Sequence, residues 1–345
     1  MAKRNRFMGW LTNDVAIDLG TVNTLVYIKG REVVIDEPSV VALERGTNKV
    51  VAVGKKAKEM LGKTPEQIVA IRPMADGVIA NFEVAEMMLK DFILRSQQRR
   101  FLLRPRVIVA VPSGITEVEK RAVKDSAERA GARKVYLVSE PLAAAIGVDL
   151  PVHEPSGNMI IDIGGGTTEI AIISLSHIVD HQSIRIGGDE MDQAIISYMR
   201  KKHNLFIGEQ TAEKVKIEIG SAYPLALEEE KTMEIRGRDL ISGYPVSRRI
   251  SSREIREALA DTVKEIIEEI KKLFEKTEPE LAADIADKGV VLTGGASQLK
   301  RLDKRISEEI NLPVFLVENP LLSVVLGSGK ILENLEEYQK VLLPD

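Results

Sequence analysis

Along most of the chain apolar and polar positions alternate, but two stretches are apolar on both sides of a short polar break. They are "VAIDLGTVNTLVYI" at 15–28 and "NMIIDIGGGTTEIAII" at 158–173. Flanks without alternation (Val15, Ile17, Leu25, Val26; Ile160, Ile161, Ile170, Ile172) predict strand, tight turn, strand, with both strands covered on two faces in the middle of a sheet. "RVIVAVP" at 106–112 and "KVYLV" at 134–138 predict further buried strands. Helices follow them. "TEVEKRAVKDSAERAG" opens with a capping box from Thr116 to Glu119 and stops at Gly131, and "SEPLAAAIG" carries Pro141 where the first helical turn tolerates it. Downstream, "SSREIREALADTVKEIIEEIKKLFEKT" predicts a long amphipathic helix opened by a Ser251–Glu254 capping box. "KGVVLTGGASQL" predicts strand, glycine turn and helix. Strands alternating with helices give an α/β class. Two inserts of different character, about 31–76 and 183–245, read as smaller outer subdomains.

The two polar breaks carry candidate chemistry. Gly20 and Gly164 permit backbone angles closed to other residues, so main-chain N–H groups can turn inward as an anion-binding nest. Thr21, Asn23, Thr167 and Thr168 add side-chain donors. Asp18 and Asp162 stand two residues before a glycine in each break, at the end of an apolar strand where an acid is costly unless it has a task. Beside a phosphate nest that task is a divalent metal, held directly or through its waters. Two such hairpins face to face would grip one polyphosphate, with a nucleotide lying in the cleft between two halves of the chain. Two unrelated hairpins with glycine turns are the alternative, and the repeated aspartate offset counts against it.

Composition trims the remaining possibilities. The 345 residues, 44% hydrophobic, suffice for a large core and two domains. A net charge of −4 gives no global pull toward nucleic acid. The absence of cysteine removes disulfide scaffolds, zinc–cysteine sites and thiol nucleophiles, and fits a reducing cytoplasm. No apolar run reaches the roughly 20 residues of a membrane-crossing helix. "MAKRNRFMGWL" lacks the apolar core of a signal peptide. It sets Phe7, Met8, Trp10 and Leu11 among cations, a pattern that suits a lipid interface and equally an unstructured start. Phe101, Leu102 and Leu103 in "RSQQRRFLLRPR" form a second apolar cluster among arginines. "LGSGKI" near Lys330 lacks the first glycine of a nucleotide P-loop, and Ile331 replaces its Ser or Thr.

In order, "DLGTVNT", "SEPLAAAIG", "DIGGGTTE" and "LTGGAS" resemble the actin, sugar kinase and heat-shock chaperone ATPase superfamily. With "DEPSVVA", "IRPMADGVIANF", "IGGDEMDQAI" and "EKVKIEIGSAYP", essentially the whole chain is similar to the MreB family of bacterial actins. The resemblance implies an actin-like ATPase fold of two related RNase H-like domains around a nucleotide cleft. Domain I would take 1–150, with 31–76 as its outer part and 320–345 returning to it; domain II would take 151–319, with 183–245 as its outer part. It implies ATP or ADP with Mg2+ as cofactors. Gly20, Thr21, Val22 and Asn23 would form the first phosphate loop, and Gly164, Gly165, Gly166 and Thr167 the second, with Asp18 and Asp162 toward the metal. Glu213, Lys214, Val215 and Lys216 would approach ribose and base, with Gly294, Gly295 and Ala296 flanking the adenosine. Glu140 and Thr167 would position the attacking water; read locally, without the resemblance, Glu140 is better explained as an acid that stabilises the start of its helix through the dipole.

The resemblance further implies head-to-tail protofilaments paired antiparallel through the helix that carries Val118. The 101–103 loop, with Phe7, Met8, Trp10 and Leu11, would enter the anionic cytoplasmic face of the plasma membrane. Partners would be other copies of the chain and membrane proteins of the cell-wall elongation machinery, with no nucleic acid. The function so implied is a slow, polymerisation-coupled ATPase that maintains rod shape. A plasmid-segregating or organelle-aligning bacterial actin and a small-molecule kinase are the alternatives.

Overall fold

The computed structural model describes residues 13–97, 104–224, 226 and 230–344. Each predicted strand–turn–strand unit is the middle of a five-stranded sheet. In the first half these are β1 (Val15–Leu19), β2 (Asn23–Ile28), β3 (Glu32–Pro38), β4 (Arg106–Val111) and β5 (Lys134–Ser139), ordered 3-2-1-4-5. In the second they are β6 (Asn158–Ile163), β7 (Thr168–Ser174), β8 (His177–Ile184), β9 (Val290–Thr293) and β10 (Val314–Leu316), ordered 8-7-6-9-10. The two orders are the same topology: an antiparallel meander of three strands, with two parallel strands added on the far side of the first. The duplicated motif thus reports a duplicated fold.

Period-two alternation decides which way each strand faces. Val15, Ile17 and Leu19 enter the core of the first half, and Met159, Ile161 and Ile163 that of the second. Ala16 and Ile160 instead join a third cluster between the two sheets, built with the Glu140–Gly147 and Ser323–Glu333 helices. Asp18 and Asp162 continue the parity of Ala16 and Ile160, so both acids emerge on the faces that the halves turn toward each other.

Those two helices cross at contact distance. A Cβ on Gly327 would stand 1.7 Å from the Ala143 carbonyl oxygen, and one on Gly147 would stand 1.9 Å from that of Ser323. Lys330 then reaches the carbonyls of Ile146 and Gly147 at 3.1 and 3.0 Å and Asp149 at 2.7 Å, capping the Glu140–Gly147 helix. "LGSGKI" is therefore a helix crossing and a cap.

Both expected capping boxes are present, Thr116 with Glu119 and Ser251 with Glu254. Three details differ from the sequence reading. After β9 the expected helix is a four-residue 3-10 turn, Gly295–Gln298, because Leu299 leaves the helical region (ψ 124°), and helix resumes only at Leu302–Ile310, after a left-handed Arg301 (φ 61°). The stretch 31–76 divides: β3 belongs to the central sheet. The Val50–Val53, Val41–Glu44 and Ile68–Ile71 sheet with the Lys55–Met60 helix stands outside it, as does Met74–Ala75, which pairs with Val78–Ile79 in a small hairpin. In 183–245, β8 ends in the central sheet, and the outer sheet of Leu205–Phe206, Thr232–Asp239 and Pro245–Ser251 runs past 245.

The helix crossing gives a stability test. Gly327→Ala forces a methyl into backbone and should cost about 3 kcal/mol, read as a lower denaturant midpoint at unchanged m-value. Gly114→Ala, where a Cβ meets only ordinary contacts at 3.5 Å or more, should move the midpoint far less; equal midpoints would mean that the crossing has slack.

Candidate functional site

A cavity of about 780 Å³ lies between the halves, where β1 and β6 end. Asp18 and Gly20 to Asn23 line it from one hairpin, and Asp162 and Gly164 to Thr167 from the other. Glu140 enters from the start of its helix, Glu213 and Lys216 from the Glu209–Ile219 helix, and Gly294, Gly295 and Ala296 from the turn after β9. Lys214 and Val215 do not line it. Helical spacing sends them elsewhere: Val215 is fully buried in the second core, and Lys214 faces solvent, 3.7 Å from Glu218. Phe7, Met8, Trp10, Leu11, Phe101, Leu102 and Leu103 lie outside the described residues.

The two hairpin turns touch. A Cβ on Gly165 would stand 2.2 Å from Val22 Cγ2, so the close approach requires glycine. The carbonyls of Gly164 and Gly165 accept from the N–H groups of Gly188 (3.0 Å) and Asp189 (2.8 Å). In a trans peptide C=O and N–H point oppositely, so the N–H groups of Gly165 and Gly166 point away from those partners, as an anion nest requires.

Buried carboxyls dominate the floor. Burial pushes the Asp18 carboxyl up to about 7. Burial, reinforced by Asp18 and Glu169, pushes Asp162 up to about 8. Glu140 is held well above the usual carboxylate range by burial and then by Glu169, Asp18 and Asp162. Glu169, 1% exposed, is raised by burial although the Ser183 hydroxyl and the Ser113 N–H (3.0 Å) donate to it. Among the described residues none of these four acids is in an ion pair, whereas Asp192 beside them pairs with Lys216 at 2.9 Å. No group of three or more acid or histidine side chains among the described residues could hold a metal by itself. Oxygen donors of uncompensated charge fit Mg2+ that takes its other ligands from phosphate and water.

Several lining residues escaped the sequence reading. Met74 to Gly77 form the tip of a small hairpin over the two turns, and the Gly77 N–H donates to Thr21 Oγ1 at 2.9 Å. Its signal was the "DG" pair, with φ of 51° at Asp76 and 75° at Gly77, a two-residue hairpin turn. Arg72, also in the lining, reaches across to Asp189 at 3.1 Å and Glu209 at 3.8 Å. No local pattern announces a contact between residues 117 positions apart.

A family model described as MreB/Mbl protein matches residues 12–340. The cell shape-determining protein MreB of Escherichia coli (strain K12) is 51% identical over 338 residues, covering 96% of this chain and 97% of that one. The cell shape-determining protein Mbl of Bacillus subtilis (strain 168) is 47% identical over 327 residues, covering 95% and 98%. The crystal structure of MreB5 of Spiroplasma citri bound to ADP superposes with a TM-score of 0.90 at 38% identity, covering 95% and 98%. A MamK double helical filament shares the fold, with a TM-score of 0.79 at 21% identity and coverage of 93% and 99%.

The raised carboxyls set a pH dependence for the chain without metal or nucleotide. Asp18 and Asp162 hold protons in the folded state up to about 7 and 8, but when unfolded only to the ordinary aspartate value of 3.8. Between those limits the native state binds more protons, so stability falls as pH rises. In chelator the melting temperature should drop from pH 5 to pH 8.5, and Asp162→Asn should flatten the slope; a melting temperature that climbs over this range would contradict the arrangement.

Proposed function

The chain belongs to the MreB/Mbl family, and we propose that it is an actin-like filament protein that binds and hydrolyses ATP in the cleft between its halves. The observation that carries this is the pair of acid–glycine turns in contact across one cavity. Phosphoryl transfer to water needs positioning and charge neutralisation more than covalent chemistry. Glu140 and Thr167 both line the cavity, so a carboxylate and a hydroxyl are available to orient a water. Mg2+, held by Asp18 and Asp162 directly or through water, would neutralise charge on the phosphates. MreB5 of Spiroplasma citri, known with ADP and with AMPPNP, supports a nucleotide at this place.

The physiological reading is a membrane-bound filament, antiparallel and double, that organises cell-wall synthesis and keeps the cell rod-shaped. Relatives described as cell shape-determining support it. The membrane part is supported by where the chain enters and leaves the two apolar–basic segments. Asn13 and Gln97 exchange hydrogen bonds at 3.3 and 2.9 Å, and Asn13 Nδ2 donates to the Ser96 carbonyl at 2.9 Å. Asp14 clamps Arg106 through three bonds of 2.6 to 2.9 Å. The described residues that flank 1–12 and 98–103 thus meet at one corner, and weak lipid affinities of two segments joined there would add within one copy and multiply along a polymer. The place of action is then the cytoplasmic face of the plasma membrane, beside membrane proteins of the elongation machinery.

Electron microscopy with Mg-ATP, with and without anionic vesicles, tests the reading: paired filaments lying on the vesicles are expected. Filaments that ignore lipid would favour a segregating or aligning actin, and discrete particles throughout would overturn the filament reading. Glu140→Ala should slow hydrolysis by about 100-fold or more with ATP affinity nearly kept; loss of affinity instead would make Glu140 structural.

A further inference from the structure

One stripe of the Glu209–Ile219 helix serves two purposes. Gln210 and Glu213, one turn apart, reach the outer unit of the first half. Gln210 Nε2 donates to the carbonyls of Lys58 (2.9 Å) and Leu61 (3.2 Å), and Glu213 Oε1 accepts from Lys58 Nζ at 2.7 Å. Glu213 and Lys216, the next turn, line the cavity. Glu213 is the member common to both sets, so one carboxylate both ties the halves together and faces the ligand. Its Oε1 is committed to Lys58, and both side chains are only about a quarter exposed (26% and 25%). Oε2 carries the remaining acceptor capacity. A carboxylate accepts and does not donate, so what it recognises at the mouth of the cleft is a pair of hydroxyl donors, and it repels a phosphate in the same place.

We infer that Lys58, from the opposite half of the chain, is a positioning residue for sugar recognition: it fixes the Glu213 carboxylate against the ribose hydroxyls of the bound nucleotide. The inference rests on the nucleotide reading of the cleft and adds to it a residue outside the cavity lining. Without Lys58 the Glu213 side chain regains its rotamer freedom and must lose it again for every nucleotide bound. The sugar contact then weakens while the phosphate contacts, made by the two hairpins, stay. Lys58 therefore governs discrimination between sugars more than affinity for polyphosphate.

The test is equilibrium binding of ATP and 2′-deoxy-ATP, each with Mg2+, to the full chain. A hydrogen bond to a carboxylate predicts that the wild type prefers ATP by about tenfold. In Lys58→Met the preference should shrink to about twofold, through weaker ATP binding with 2′-deoxy-ATP less affected. Lys58→Arg, which keeps a cation of similar reach, should keep the preference. A wild type that binds both nucleotides equally, or a Lys58→Met variant that keeps the full preference at whatever overall affinity, overturns the inference alone. A wild type that binds neither overturns the nucleotide reading as well.

Discussion

Asp18, Glu140 and Asp162 crowd the floor of one cleft, with Glu169 buried close by, and burial strips each of the water that would stabilise its charge. An ion taken out of water costs several kcal/mol unless something repays it. The Ser113 N–H and the Ser183 hydroxyl repay part of it at Glu169, but among the described residues no cation pairs with any of the four: Lys216 is already spent on Asp192 and the Gly188 carbonyl. The arrangement persists because everything around it is rigid. β1 and β6 are the central strands of their sheets, hydrogen-bonded on both sides, and the surface behind the acids is the apolar cluster shared by the two halves. Stability surrendered at the floor is thus supplied by the packing underneath, and under the proposed function a cation with polyphosphate would return it.

Features with a local cause were legible in the residues. Apolar flanks around a glycine turn, Thr116 and Ser251 three positions before a glutamate, and Pro141 in a first turn all act through bonds within a few residues. The paired aspartates were legible because they recur at the same offset. Harder to read were features set by where remote segments meet. β3 joins the central sheet by pairing with β2, although its sequence resembles that of the insert after it. Val215 and Lys214 sit in the same motif as Glu213 and Lys216, yet the helix turns them to the core and to solvent. The 3-10 turn after β9 ends at an extended Leu299, and helix restarts only after a left-handed Arg301, a residue type that seldom adopts that conformation and so gave no warning. Arg72, the Asp76–Gly77 hairpin and Lys58 enter the site across the cleft, and no window of sequence contains both partners.

The two ends of the cleft are closed by different physics, and this sets how it works. At the base the Glu140–Gly147 and Ser323–Glu333 helices meet backbone against backbone, within an apolar cluster that water does not enter. Such a contact can pivot but cannot part without exposing the cluster. At the outer rim the closure is polar: Arg72 with Asp189, Lys58 with Glu213, Arg185 with Asp76. Partly exposed ion pairs are worth about 0–1 kcal/mol each, since water replaces either partner at little cost. Opening therefore belongs to the rim and the pivot to the base. A nucleotide entering by the rim would set its phosphates deep between the hairpins, where the donors and acids are, and its sugar beside Glu213 at the exit. On the proposed reading, charge neutralised at the floor and hydroxyls bound at the rim would pull the same two halves together, so the contents of the cleft would set the angle between the halves, and with it the surfaces that they present to a neighbouring copy.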